Sequence, residues 1–180
     1  MNSVLTLEEI FSELRDAFPL QPVPYNVGVS ANSEKINGYF NFREWDKVTI
    51  DGLLNESGLG ADHGLTWMNA NGYRYYLPAY ILLSLSMRED SYVWLLEPFF
   101  TGLCAYEILS TFIAEDNPKI DPARTELFDS FNPRQKQVVA DFLEYFSTAD
   151  PHIGGAASLR YLAEMALKSY WRQFLHRHEK

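Results

Sequence analysis

The stretch that decides the fold reads Asn69-Ala70-Asn71-Gly72-Tyr73-Arg74-Tyr75-Tyr76-Leu77-Pro78-Ala79-Tyr80-Ile81-Leu82-Leu83-Ser84-Leu85-Ser86-Met87. Tyr73, Tyr76, Leu77, Tyr80, Ile81 and Leu85 recur at the three- and four-residue steps that stack side chains along one side of an α-helix. Their apolar faces overlap, so a helix from about Asn69 to about Met87 belongs at the centre of a core rather than on its rim. Pro78 lies inside it, where the ring removes a backbone donor and crowds the Arg74 carbonyl, which predicts a kink.

Further helices are marked on both sides of this one. Thr6, with Glu9 three residues later, forms a capping box ahead of Leu7, Ile10, Phe11, Leu14 and Phe18 at helical spacing, and Pro19 ends the segment. Residues 19 to 42 hold Pro19, Pro22, Pro24, Gly28 and Gly38 between scattered Val, Tyr and Phe, a connecting region with room for a short hairpin. Phe42, Trp45, Val48, Leu53 and Leu54 suggest short helical turns, with Thr49 as a cap. Beyond the central helix, Tyr92 to Ile113 is strongly apolar and divided by Pro98, with a longer helix expected from there to about Ala114. Glu115-Asp116-Asn117-Pro118 breaks it, and a polar linker with Asp121-Pro122 leads to Asn132-Pro133. There an N-cap followed by proline opens a helix whose stripe is Val138, Val139, Phe142 and Phe146. A last helix uses Leu159, Leu162, Ala166, Tyr170 and Phe174, with Arg160, Glu164, Lys168 and Arg172 at four-residue steps outside. The expected architecture is mainly α: one domain over residues 1–180, an irregular helical bundle of about five to seven helices.

Two stretches carry a resemblance. Trp67 to Tyr80, with its core Tyr75-Tyr76-Leu77-Pro78-Ala79-Tyr80, and Phe131-Asn132-Pro133-Arg134-Gln135-Lys136-Gln137-Val138-Val139-Ala140-Asp141-Phe142-Leu143-Glu144 together resemble the signature of an uncharacterised bacterial family, one of the domain-of-unknown-function groups. With Phe42 and Trp45 upstream, the likeness spans roughly residues 40 to 146. It implies a shared fold and carries no activity to transfer.

Composition supports a folded chain. Of 180 residues, 47% are hydrophobic and 15% aromatic, far outside the range of disordered sequences. No apolar run reaches the roughly eighteen residues needed to cross a bilayer. Met1 to Thr6 leads straight into a charged amphipathic segment without a basic n-region or cleavage site, so a cytoplasmic location is expected. The lone Cys104 sits between Leu103 and Ala105, which rules out an internal disulfide or a cysteine-based zinc site and marks it as a small buried hydrophobe.

The net charge of −9 is unevenly spread, with 12 acids against 4 bases in residues 89–150 and 2 acids against 5 bases in residues 151–180. Such a field repels nucleic-acid phosphate and anionic lipid and steers a cationic partner inward; the same charge would also serve solubility alone. Within the acidic stretch Glu107, Glu115, Asp116, Asp121, Glu126 and Asp129 form the leading candidate surface, because carboxylates from a helix end and a proline-spaced linker can face one partner together.

Chemistry finds little support. Asp62-His63 in a glycine-rich loop lacks a spaced second ligand, and His176 and His178 share that weakness. Gly154-Gly155 lacks the lysine and Ser/Thr of a phosphate loop, and there is no nucleophile elbow or His-Glu-x-x-His helix. No cofactor and no metal is expected.

The first functional expectation is therefore an acidic cytosolic protein-binding domain of the immunity type, covering the basic site of a toxin or nuclease. The second is a small-ligand binder or enzyme with an aromatic pocket around Arg74, Tyr75, Tyr76 and Tyr80, its arginine offered to an anion. A third is a homodimer through Tyr92 to Ile113.

Overall fold

A computed structural model of the chain describes residues 5–29, 33–57, 64–85, 109, 111–112, 122–148 and 156–175. The chain is mainly helical, with six α-helices among the described residues, inside the expected range, and no strand. Its contacts divide it into two units, one formed by Met1–Ala17 with Ile108–Lys180 and the other by Phe18–Glu107.

The first unit is organised around α5, Pro133–Ser147, which packs against α1 (Leu7–Ala17), α6 (Ala156–Ser169) and a 3-10 turn, Trp171–Phe174. Both expected N-terminal signals form. At α1 the Thr6 N–H donates to Glu9 Oε2 at 2.7 Å and the Glu9 N–H donates back to Thr6 Oγ1 at 3.3 Å. At α5 the Gln135 N–H donates to Asn132 Oδ1 at 2.9 Å, and the Asn132 N–H donates to Gln135 Oε1 at 3.1 Å, with Pro133 in the first turn. Each box satisfies helix-end donors that water would otherwise have to reach. Gln135 does a second job, because its buried amide donates to the Ala17 carbonyl at the end of α1, 3.2 Å away. Arg134 reaches Glu13 at 3.2 Å and Asp16 at 3.0 Å from the exposed side, where ion pairs contribute about 0–1 kcal/mol.

Beneath these contacts lies an aromatic cluster around Trp171, which is fully buried and donates its indole N–H to the Phe112 carbonyl at 3.0 Å. Phe112, Phe128, Phe131, Phe142 and Tyr170 surround it or one another through tilted and edge-on ring contacts, the arrangement favoured by the ring quadrupole.

Two expectations are corrected in this unit. Part of the stretch expected to be a polar linker is α4, Pro122–Asp129. Proline supplies a preset φ at a first helical position, and Phe128, buried in the aromatic cluster, anchors the far end. The last helix stops at Ser169. Tyr170, at φ −146°, takes the chain out of α geometry, so Trp171 and Phe174 belong to the 3-10 turn instead.

The second unit is built on α3, Ala70–Leu85, whose Tyr73, Tyr76, Leu77, Pro78, Ala79, Tyr80, Ile81 and Leu85 are buried. Burial on nearly all sides is what the overlapping faces predicted, and a fully buried large side chain contributes roughly 1.5–3 kcal/mol. Asn69 caps the helix: its Oδ1 accepts the Gly72 N–H at 2.9 Å and its carbonyl accepts the Tyr73 N–H at 2.8 Å. Pro78 lies inside α3, which is helical from Ala70 to Leu85.

Against α3 lie 3-10 turns at Trp45–Lys47 and Gly64–Trp67. Trp45 mirrors Trp171 of the other unit, being fully buried with its indole N–H on the Phe18 carbonyl at 3.1 Å. A π-helical turn, Gly52–Glu56, follows Thr49, whose hydroxyl accepts the Gly52 N–H at 3.1 Å as the cap expected there.

The short hairpin allowed within residues 19–42 does not form among the described residues. Ser33–Phe40 is a helix, α2, and the extended residue Gly28 pairs through an isolated antiparallel bridge with Met68. The bridge is completed by the Val29 N–H on the Trp67 carbonyl at 3.0 Å and the Asn69 N–H on the Val27 carbonyl at 2.7 Å. A β-carbon at Gly72 would come within 2.5 Å of Val27 Cβ, so glycine lets α3 lie directly against this extended segment.

Candidate functional site

Phe42 breaks the pattern in which the sequence placed it. It stands first in the apolar series running on to Trp45, Val48 and Leu53, and those three are buried. Phe42 itself is 80% exposed and has φ 65°, in the left-handed region that β-carbons disfavour. Tyr25, 60% exposed, lies against it with ring centroids 5.3 Å apart.

The backbone that carries Phe42 is held from beneath. Tyr76, fully buried on α3, donates its hydroxyl to the Phe40 carbonyl at 2.5 Å and lies 2.8 Å from the Arg43 carbonyl, so one phenol braces both sides of the turn. The Arg43 N–H closes the turn onto the Phe40 carbonyl at 3.0 Å. Tyr25 is aligned in turn: the Asn26 N–H donates to Asn41 Oδ1 at 3.0 Å, and Asn69 Nδ2 donates to the Asn26 carbonyl at 3.0 Å.

Arg43 is anchored on three sides. Its Nε donates to the Tyr39 carbonyl at 3.1 Å, its Nη2 reaches Glu56 at 3.1 Å, and its guanidinium carbon stands 4.1 Å from the centre of the Tyr39 ring. Stacking and charge-assisted hydrogen bonds reinforce one another in such an arrangement. A cleft of about 470 Å³ opens here, lined by Gln21, Gly38, Tyr39, the run Asn41 to Glu44, and Lys47. Glu44 is turned toward Gln21, whose Nε2 donates to its carboxylate at 2.8 Å.

The phenols at and behind the cleft are not bases. Burial pushes the Tyr76 phenol well above its usual range and the Tyr75 phenol up to about 12, and desolvation likewise raises Tyr39. They stay protonated throughout the physiological range.

Of the expected ligand-pocket residues, Tyr76 is thus a brace, and Tyr75, half-buried, donates to the Leu20 carbonyl at 2.5 Å. Tyr80 is buried in the core and Arg74 is half-buried on the same helix. The cleft takes its lining from Gln21, Gly38, Tyr39, Asn41 to Glu44 and Lys47, and so includes Arg43, whose carbonyl Tyr76 holds.

The acidic candidates divide differently. Glu107, Glu115, Asp116 and Asp121 lie outside the described residues, as do Asp62-His63, Cys104, Gly154-Gly155, His176, His178 and most of Tyr92 to Ile113. Glu126 and Asp129 are exposed on α4. The Asp129 carboxylate accepts the Tyr170 hydroxyl at 2.6 Å and lies 3.5 Å from Lys136 Nζ. The tyrosine hydrogen bond, helped by the lysine, holds its pKa below the ordinary value. Among the described residues no group of three or more His, Cys, Asp or Glu could hold a metal ion, and no helix is long and apolar enough to cross a membrane.

These elements define a mainly helical protein with a braced aromatic turn beside a cleft. The chain belongs to a family of unknown function, DUF6714, which matches residues 31–175 and so contains α2 through α6, the turn and every lining residue of the cleft except Gln21. Membership of an uncharacterised family is what the resemblance implied. No curated protein matches the chain, and no solved structure does.

One prediction arises at Phe42. A left-handed backbone costs a side-chain-bearing residue about 1–2 kcal/mol, glycine gives back about 0.5–1 kcal/mol through the unfolded chain, and the exposed ring forfeits little burial. Phe42→Gly is therefore expected to raise stability by up to about 1 kcal/mol in urea denaturation. A loss of stability would show that the ring contact with Tyr25 outweighs the strain.

Proposed function

We propose that this protein is an acidic protein-binding domain of the immunity type, acting in the bacterial cytoplasm by covering the basic site of a toxin or nuclease. The observation that carries the reading is the concentration of charge: residues 89–150 hold 12 acids and 4 bases. Within that stretch Glu126 and Asp129 are exposed on α4. An excess of carboxylates speeds the encounter with a cationic protein and supplies charge-assisted hydrogen bonds once contact is made. Lys136 and Tyr170 hold the Asp129 carboxylate in one place, which lowers the ordering entropy lost on docking.

The test is binding of the full chain to the purified product of the adjacent gene, since immunity proteins are encoded beside their toxins. Association is expected to slow by about tenfold or more as salt rises from low to physiological levels, and to slow about as much in Glu126→Lys or in the combined variant Glu115→Lys, Asp116→Lys and Asp121→Lys. Binding that ignores both salt and charge reversal would sink the proposal. So would a neighbouring gene product that does not bind.

A further inference from the structure

The chain carries a net charge of −9, yet the cleft under Phe42 is lined by two cations, Arg43 and Lys47, and one carboxylate, Glu44. Glu44 accepts from Gln21, and Lys47 stands 3.5 Å from Asp46 with its side chain largely exposed. Arg43 is already oriented by the Tyr39 carbonyl, the Tyr39 ring and Glu56. A guanidinium has more N–H donors than these contacts use, so it is positioned in advance for an oxyanion.

The rest of the lining is largely polar, and its exposed aromatic face is that of Phe42. Phe42 is kept out of the core on a left-handed backbone, its ring tilted against the exposed Tyr25, by a turn that the buried Tyr76 braces. Folding alone favours neither the exposure nor the backbone conformation, and strain of this kind persists where the surrounding structure enforces it. The cleft's volume of about 470 Å³ falls in the ~300–1,000 Å³ range of small-molecule sites. We propose that this cleft binds a small molecule combining a flat apolar body with an oxyanion, the oxyanion on Arg43 and Lys47 and the flat body against Phe42. The site is independent of the acidic surface proposed above and stands if that reading fails.

The oxyanion's two common sources, carboxylate and phosphate, are separated by the probes. The 15N-labelled full chain is titrated with benzoate, phenyl phosphate, inorganic phosphate and the neutral benzamide while backbone amide shifts are followed. One or both aromatic anions are expected to move the amides of Phe42, Arg43, Glu44 and Lys47 saturably at millimolar concentration, with benzamide about tenfold weaker. Inorganic phosphate should bind more weakly than phenyl phosphate. Lys47→Gln and Phe42→Ser, both at exposed positions and so compatible with folding, should each weaken the aromatic anions by about threefold or more. The proposal is overturned if neither aromatic anion shifts these amides, if benzamide binds as well as benzoate, if inorganic phosphate matches phenyl phosphate, or if both variants bind like the parent chain.

Discussion

Trp171→Ala is expected to lower the unfolding free energy by about 3–5 kcal/mol, the largest effect of any single truncation in the first unit. The side chain is fully buried, and Phe112, Phe128 and Tyr170 lie with ring centroids 5.4, 4.9 and 5.0 Å from it. Removing the indole deletes its dispersion contacts and leaves a void that rigid aromatic neighbours fill only in part. It also strips the donor from the Phe112 carbonyl in a buried setting. Trp171→Phe separates the two losses, because a ring remains while the N–H is gone; its expected effect is smaller, about 1–3 kcal/mol. Urea denaturation followed by far-UV circular dichroism measures both. A loss under about 1 kcal/mol for the alanine variant would mean that the cluster collapses around the gap and is not the core described here.

Tyr76→Ala should produce a comparable loss in the second unit, again about 3–5 kcal/mol, and should also abolish any binding at the cleft. Its ring packs on Phe40 and Tyr75 at centroid distances of 4.7 and 4.8 Å, and its hydroxyl braces the Phe40 and Arg43 carbonyls. Tyr76→Phe keeps the packing and removes only the brace, for about 1–3 kcal/mol. The pH dependence identifies the brace. Burial raises the folded phenol above its ordinary value of 10.0, so the protonated form is favoured in the folded state. The contribution is then fully present below about pH 10 and is lost as pH rises further, because the unfolded phenol ionises first. The stability gap between the parent and Tyr76→Phe should accordingly be flat from neutral pH to about pH 10 and shrink above it. A gap that is already shrinking near neutral pH would contradict the assigned role.

Much of the helical framework was legible in the sequence because its signals act over three or four residues. Thr6 with Glu9, Asn132 ahead of Pro133, and Thr49 all make the caps expected of them. The apolar periodicity of α3 and α5 likewise matches what is buried. Where local signals conflicted, the reading failed. Gly38 counts toward a connecting region with room for a hairpin in residues 19–42, yet it sits within α2, whose Asn37 Oδ1 accepts the Gly28 N–H at 2.9 Å. Pro122–Asp129 offers too few apolar positions to show a helical period, and the burial of Phe128 in a cluster with Phe112 and Trp171 decides it.

The site was the least legible part. Phe42 has the same residue type and nearly the same spacing as its buried neighbours, so hydrophobic pattern alone assigns it to the core. The left-handed φ, and the Tyr76 hydroxyl that holds Phe40 from 36 residues away, turn it outward. The Tyr75-Tyr76-Leu77-Pro78-Ala79-Tyr80 run drew attention as a pocket, and its Tyr76 holds the backbone of Arg43, a lining residue of the cleft.

By itself, then, the sequence determined that the chain is helical, where its strongest helices begin, which of their faces turn inward, and how its acids and bases are distributed, since periodicity, capping and charge are local or additive properties. The tertiary structure alone decided the pairing of Gly28 with Met68, the two tryptophan-centred cores, and the exposure of Phe42 beside an anchored Arg43. Each of these depends on groups far apart in the chain meeting at hydrogen-bonding or van der Waals distance, and no spacing rule along a single sequence specifies such meetings.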